Sequence, residues 1–362
     1  MGAGVRIARA SLPLYGAVLS AFLLASPAAA QTHRLKLQPL KPGAAESVRL
    51  FHPHVSDRLR ATPYKARAAR NAQSSSSTTS FRTQDGTTIP VAVSSAYTPD
   101  PNVEQGYVNF LGGLIHGAEL GKISVYIATP SQIENAFCGA GALACYVGDE
   151  ERMYVPGSGQ QQSNDGNPPV QFLIAHEYGH HIELNRSNAP WSAYDQGTKR
   201  WATYENVCAL ERRHKVRTNY YNDPSEAFAE SYADMQFPGV DFIYTDLLAP
   251  DHGAFHEIRG DVLHPWTGPR SRTLRGSFTS SGGKSVKSFR LRTPLDGTMT
   301  LALAPPAGAS YHVRVLADSK RMRRRKLHSS AAGYTICGAR TVTVQVVRRY
   351  GSGPFTIAAT LP

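Results

Sequence analysis

Two histidines, His176 and His180, stand four residues apart in the stretch QFLIAHEYGHHIEL, and Glu177 directly follows the first. On a helix, residues i and i+4 share a face, so both imidazoles can grip one ion while the glutamate lies beside it. Zinc suits such a pair, because a catalytic zinc takes three protein ligands and keeps a fourth position for water. His-Glu-x-x-His supplies two of the three. The third must come from elsewhere in the chain, and its place decides what kind of site this is.

Arg186, ten residues after His176, cannot be the third ligand, which excludes the extended metzincin signature. Farther on, the run PSEAFAES offers Glu226 and Glu230 at i, i+4, 46 and 50 positions after His180. Glu226 is the better ligand. Glu230, one turn along, can take the free N–H of a zinc-bound histidine and fix its tautomer. Ala227, Phe228, Ala229 and Tyr232 surround the two acids, and a buried carboxylate pair requires a cation. No C-x-x-C occurs, so a cysteine zinc site is excluded. His181 points about 100° around the helix from His180 and reads as structural. His252 and His256 share the i, i+4 spacing, but Gly260 ends the pattern after Glu257, so they read as structural or as a surface loop.

Several elements must position these residues. KISVYIATP alternates Ile123, Val125 and Ile127 with smaller or polar neighbours, which predicts a half-buried strand stopping at Pro130. RMYVPG predicts a second short strand. The metal-binding run predicts an apolar helix, with Asn167 as cap and Pro168 or Pro169 in its first turn. TKRWATYENVCALERRHKV predicts another, with Trp201, Tyr204, Val207 and Cys208 on one stripe. A third follows Asp223 as N-cap and Pro224 at N1, and carries Glu226 and Glu230.

Charge maps the organisation around this middle region. Residues 1–80 carry 11 Lys+Arg against 2 Asp+Glu, residues 81–269 carry 11 against 23, and residues 270–362 carry 17 against 2. An acidic middle thus lies between two basic flanks. Residues 1–30 read as a cleaved signal peptide: Arg6 and Arg9, an apolar run from Leu12 to Leu24, then Ala28–Ala30. That predicts a secreted protein, extracellular or periplasmic, with no transmembrane anchor. Residues 31–80 are basic, end in NAQSSSSTTS, and read as a disordered arm or a propeptide. Export permits disulfides, and the four cysteines favour Cys138–Cys145 across a Gly/Ala turn and Cys208–Cys337. From Arg270 onward, short alternating strands separated by Gly, Ser and Pro predict a small all-β sandwich.

HEYGHHIEL followed by SEAFAES resembles the gluzincin metallopeptidases. The spacing and the run YNDPSEAFAES are most similar to the catalytic domains of anthrax lethal factor and the related bacterial Pro-Pro endopeptidases. FCGAGALACYVGDEERMYV is fainter in its similarity to bacterial neutral zinc metallopeptidases. The resemblance covers roughly residues 120–240. It implies an α+β zincin-like catalytic domain over 81–269, with a twisted sheet over the active-site helix. It also implies zinc on His176, His180 and Glu226, with Glu177 as general base. The lethal-factor group places an oxyanion-donating tyrosine upstream of the third ligand. Asn219 stands at that spacing here, which leaves Tyr220 and Tyr221 as candidates. The C-terminal strands over 270–362 resemble the prepeptidase C-terminal domains appended to secreted bacterial proteases.

These readings predict a secreted zinc endopeptidase acting on protein or peptide. Glu177 would deprotonate the attacking water, and an extended substrate would add to the sheet edge at Ile123–Ala128. An alternative from another class is an envelope-binding or adhesive protein whose zincin domain is inactive. A third, zinc amide hydrolysis on a cell-wall peptide, shares the site. The basic run KRMRRRKLH, Lys320–His328, and its domain could meet an anionic envelope polymer, with a solvated turn as the plainer reading. That run lacks stacking aromatics, so nucleic-acid recognition is not expected, and a monomer is.

Overall fold

The computed structural model describes residues 77–157, 169–217, 220–238, 248–280, 285–326 and 331–362. The expected export signal, residues 31–76 of the basic arm, Asn167, Pro168 and Asn219 lie outside the described residues. Within them the fold is α+β, with one mixed sheet among helices and a β-rich C-terminal region.

The mixed sheet contains β1 (Ser77–Arg82), β2 (Thr88–Val93), β3 (Ser124–Ala128), β4 (Cys145–Val147) and β5 (Arg152–Pro156), in the order β1-β2-β3-β5-β4. β2, β3 and β5 run parallel, while β1 and β4 are antiparallel at the two edges. Two expectations change here. The Ser/Thr run does not end as linker, because Thr78 to Ser80 already pair with β2. Threonine suits an exposed edge strand. β3 is also no edge: it has β2 on one side and β5 on the other. Parallel neighbours are joined through crossovers, so sequence order does not tell which strand ends outermost. The free edge near the candidate metal ligands is β4.

Alternation along the parallel strands splits two apolar layers. Val91, Val125, Ile127, Met153 and Val155 face one side and pack with helix α1 (Pro101–Gly113) and helix α2 (Val170–Leu184). On the other side, Tyr126, Tyr154 and Phe137 stack with ring centroids 4.5–5.4 Å apart. The Cys138–Cys145 disulfide borders that second layer and ties β4 to the turn before it.

Short helical turns aside, the described residues also form α3 (Ala193–Gln196), α4 (Lys199–Tyr204), α5 (Val207–Arg212), α6 (Pro224–Gln236) and α7 (His252–Leu263). The single helix expected over Thr198–Val216 is broken into α4 and α5. Asn206 takes a left-handed conformation at φ 55° between them, so Tyr204 leaves the stripe and is exposed while Trp201, Val207 and Cys208 are buried. His252 and His256 lie on α7, not on a loop, with exposed side chains.

From Arg270 the chain forms two facing sheets. One contains β7 (Val286–Arg292), β9 (Ser310–Ala317), β10 (Lys320–Arg321) and β13 (Thr341–Tyr350), in the order β10-β9-β13-β7. The other contains β6 (Arg270–Phe278), β8 (Gly297–Ala304), β11 (Arg325–Lys326), β12 (Ala332–Ile336) and β14 (Gly353–Leu361), in the order β11-β12-β8-β14-β6. Met299, Leu301, Val315, Val342, Val344, Val346 and Ile357 fill the space between them. The Cys208–Cys337 disulfide joins α5 to this region, so both favoured cysteine pairs form. Beside it Arg340 pairs with the buried Asp296 at 2.6 Å and donates to the Thr203 carbonyl at 3.0 Å. Among the described residues no helix is long and apolar enough to cross a membrane.

Candidate metal centre

Helix α2 is buried nearly all round because it lies between the sheet and α6. It begins after Pro169, which supplies no side-chain cap. α6 begins as its sequence dictates: Asp223 accepts from the Ser225 amide at 3.0 Å, and Pro224 occupies the first turn. The two helices meet closely at Gly179. A Cβ there would sit 2.7 Å from the Ala229 Cα and 3.3 Å from its carbonyl oxygen. The glycine inside the His-Glu-x-x-His run is therefore what lets the two helices approach.

That approach brings His176, His180 and Glu226 together, each 3–4% exposed. Their ligand-capable atoms all lie within 4.8 Å of one another. Glu226 Oε2 is 3.3 Å from Nε2 of His176 and 3.3 Å from Nε2 of His180. The opposite ring nitrogens are already engaged. His176 Nδ1 meets Glu230 Oε2 at 2.9 Å, and His180 Nδ1 meets Glu183 Oε2 at 3.0 Å. Ser225 Oγ donates to the same Glu183 oxygen at 2.8 Å. An Nδ1–H tautomer held this way aims both Nε2 lone pairs at Glu226 Oε2, a buried oxygen with no hydrogen bond. With both rings neutral, three lone pairs face one another, and either protons on the imidazoles or a metal cation must lie among them. Two ligands each about 2.0–2.1 Å from a tetrahedral zinc stand about 3.3 Å apart, so the donor set fits that ion.

The ionisation of the cluster agrees. Burial pushes Glu226 upward, but His180 and His176 outweigh it and hold its carboxyl at about 2. Burial pulls His176 down, while the adjoining carboxylates of Glu226 and Glu230 hold it up at about 9. His180 is likewise raised against its burial, by Glu226 and Glu183. Protons on the imidazoles thus balance the carboxylates, as a divalent cation would in their place. Glu177, also buried, is raised first by desolvation, and the Tyr146 backbone on β4 hydrogen-bonds it.

Of the residues singled out by spacing, His176, Glu177, His180, Glu226 and Glu230 converge here. Tyr220 and Tyr221 lie in the short turn Tyr220–Asn222 just before α6, their rings 5.7 Å apart, with Tyr220 against the main core. Spacing missed three others. Glu183, three residues after His180, holds its Nδ1; it shares the helix face of His180, a signal present in HHIE. Ser225 steadies that acid. Tyr194, on α3, stands edge-on to His180 with ring centroids 6.3 Å apart. Burial raises its phenol, and Glu183, Glu177 and Glu226 raise it further against the opposing pull of His180. A cavity of about 260 Å³, lined by Glu183, Leu184, Trp191 and Tyr194 among others, opens beside it.

The neighbouring histidine is structural. His181 Nε2 lies 2.8 Å from the Glu119 carbonyl, which can only accept, so Nε2 carries the proton and Nδ1 accepts from the Tyr146 hydroxyl at 2.8 Å. Arg186, excluded as a ligand, anchors the end of α2. It pairs with buried Glu119 at 2.7 Å and donates to the carbonyls of Asp261 and Val262 on α7. Cys208, Asp296 and Cys337 form a second close group, but its two sulfurs are bonded to each other.

No family model matches this chain, and no curated protein does. Among solved structures, the pre-peptidase C-terminal domain of collagenase from Bacillus anthracis matches at 11% identity. That match covers 25% of this chain and 88% of the other, with a TM-score of 0.20, and carries no argument about fold or function.

Proposed function

We propose that this chain is a secreted zinc endopeptidase of gluzincin type, with a zincin-like catalytic domain ahead of the β sandwich. The observation that carries the reading is the buried, unbonded Glu226 Oε2 facing Nε2 of both His176 and His180 at 3.3 Å. Those three residues would hold zinc, with Glu230 and Glu183 fixing the two imidazoles. A zinc ion bound there supplies Lewis acidity, making water more acidic and polarising a carbonyl.

The chain supplies the rest. Glu177, with its pKa raised by burial, takes the proton of the attacking water and returns it to the leaving amine. A phenol donates to the developing oxyanion, with Tyr194, Tyr220 and Tyr221 as candidates, of which Tyr194 is in edge-on ring contact with His180. The β4 edge, whose Tyr146 backbone touches Glu177, receives the extended peptide as an added strand. The cavity beside Tyr194 accommodates a substrate side chain. The deciding variant is Glu177→Gln, which should keep stoichiometric zinc and lose cleavage of a casein-type substrate. Full activity in that variant would remove Glu177 from the mechanism.

A further inference from the structure

The β region holds a second surface that the peptidase reading does not use. In the four-stranded sheet, Leu291, Val342, Val344, Val346 and Val315 point into the sandwich and are buried. The alternate residues therefore share the opposite, outer face. On the central strand β13 these are Thr341, Thr343, Gln345 and, past them, Val347. β7 places Arg292 opposite Thr341, Arg290 opposite Thr343 and Ser288 opposite Gln345. On the other side, β9 places Arg314 opposite Gln345 and His312 opposite Val347, and β10 sets Arg321 opposite Leu316. A strip of hydroxyl and amide groups one strand wide thus runs between Arg290 and Arg292 on β7 and Arg314 on β9, with Leu316 opposite Thr343 and Arg321 beyond it on β10. β7 and β9 stand about 10 Å apart, two strand spacings, and β10 one spacing farther.

Among the described residues no carboxylate pairs with these arginines. Residues 270–362 contain two acids, Asp296 and Asp318. Asp296 is buried against Arg340, and Asp318 lies in the turn between β9 and β10. Arg290, Arg292, Arg314, Arg321 and Arg349 form no ion pair among the described residues. Arg314 Nε and His312 Nδ1 are buried and make no hydrogen bond. Arg349, Arg314 and Arg321 all act on His312, adding to the effect of its burial in holding it in the neutral form. Gathering guanidiniums without counter-charge is unfavourable unless an anion completes the surface.

We propose that this face docks a linear acidic polysaccharide, laid along β13 with its oxyanions between Arg290 and Arg292 on one side and Arg314 and Arg321 on the other. Arginine forks bind carboxylate and sulfate in pairs of hydrogen bonds, and Thr341, Thr343, Ser288 and Gln345 suit sugar hydroxyls. Thr341, Thr343 and Gln345 carry no aromatic ring on which a nucleic-acid base could stack, and the exposed Tyr350 stands at the far end of β13. Only Arg321 comes from the basic run Lys320–His328, so the surface is a sheet face and not that loop.

The test is titration of the full chain with polygalacturonate across a salt series, with neutral dextran, duplex DNA and anionic vesicles alongside. Polygalacturonate should bind and dextran should not. Arg314→Gln with Arg290→Gln should weaken binding about tenfold or more and flatten the salt dependence by up to about two contacts. Arg270→Gln with Arg272→Gln, an equal loss of charge on β6 of the other sheet, should leave binding unchanged. Gln345→Ala, which alters no charge, should weaken it severalfold with melting unaltered. Equal loss in both double variants, no binding of polygalacturonate, or tighter binding of DNA or vesicles would each overturn the proposal. None of these readouts depends on peptidase activity.

Discussion

Replacing Gly179 with alanine perturbs the one contact that sets the spacing of the candidate metal ligands. The added Cβ would lie 2.7 Å from the Ala229 Cα, 3.1 Å from its Cβ and 3.3 Å from its oxygen. Carbon atoms in ordinary contact stand about 3.5–4.0 Å apart, so α2 and α6 must part by about 1 Å. Overpacking of this kind costs about 1–3 kcal/mol, a fall of several degrees in Tm for a domain of this size. Metal sites tolerate only about 0.2 Å of displacement, so the same parting should pull Glu226 away from both histidines. The expected loss of zinc affinity is about 100-fold or more, beyond the 10–100-fold typical of an outer hydrogen-bond partner. Competition against a chromophoric chelator measures the affinity, and a thermal melt of the metal-free protein measures the packing cost. Adding Ala229→Gly should restore little, since the nearest atom is the Cα, which remains. Unchanged zinc affinity and melting in Gly179→Ala would refute the reasoning. Full rescue by the second substitution would place the clash on the Ala229 side chain instead.

Other consequences follow from the same geometry. Glu183→Gln should lower zinc affinity about 10–100-fold while leaving the helices folded, because His180 loses the carboxylate that fixes its tautomer; chelator competition and circular dichroism read the two effects. Tyr194→Phe should lower kcat about 100-fold with KM and zinc content little changed if its phenol is the oxyanion donor. The same substitution at Tyr220 and Tyr221 should then have small effects, and a reversed order would move the role to them. His176, ordinarily near 6.5, is held at about 9 in the metal-free centre. Its proton therefore stabilises the metal-free fold fully below 6.5, and that contribution is lost as pH rises through about 9. Zinc affinity should rise over the same window, since the ligand must shed that proton. Flat chelator titrations across the pH series would contradict this.

The parts of the centre that sequence reveals are those set by local rules. Helical spacing puts His176 beside His180 and Glu226 beside Glu230, and Asp223-Pro224 marks where α6 begins. Glu183 was within reach of the same spacing rule but looks like an ordinary helix acid until Ser225 is seen against it. Tyr194 is invisible in this way, because a turn of several residues carries it back over His180. The strand order is hidden for a related reason: β3 and β5 pair across an intervening strand, so β4 and not β3 becomes the edge. The break at Asn206 depends on one left-handed residue, which an otherwise continuous helical pattern conceals. The outer face of the four-stranded sheet needs the register of four strands before its arginines form a pattern.

The central claim is most directly tested by loading the purified chain with zinc, measuring the metal content, and profiling it against a broad peptide library. The account predicts one zinc per chain and cleavage of internal peptide bonds. One bound zinc with no cleavage of any peptide would contradict it.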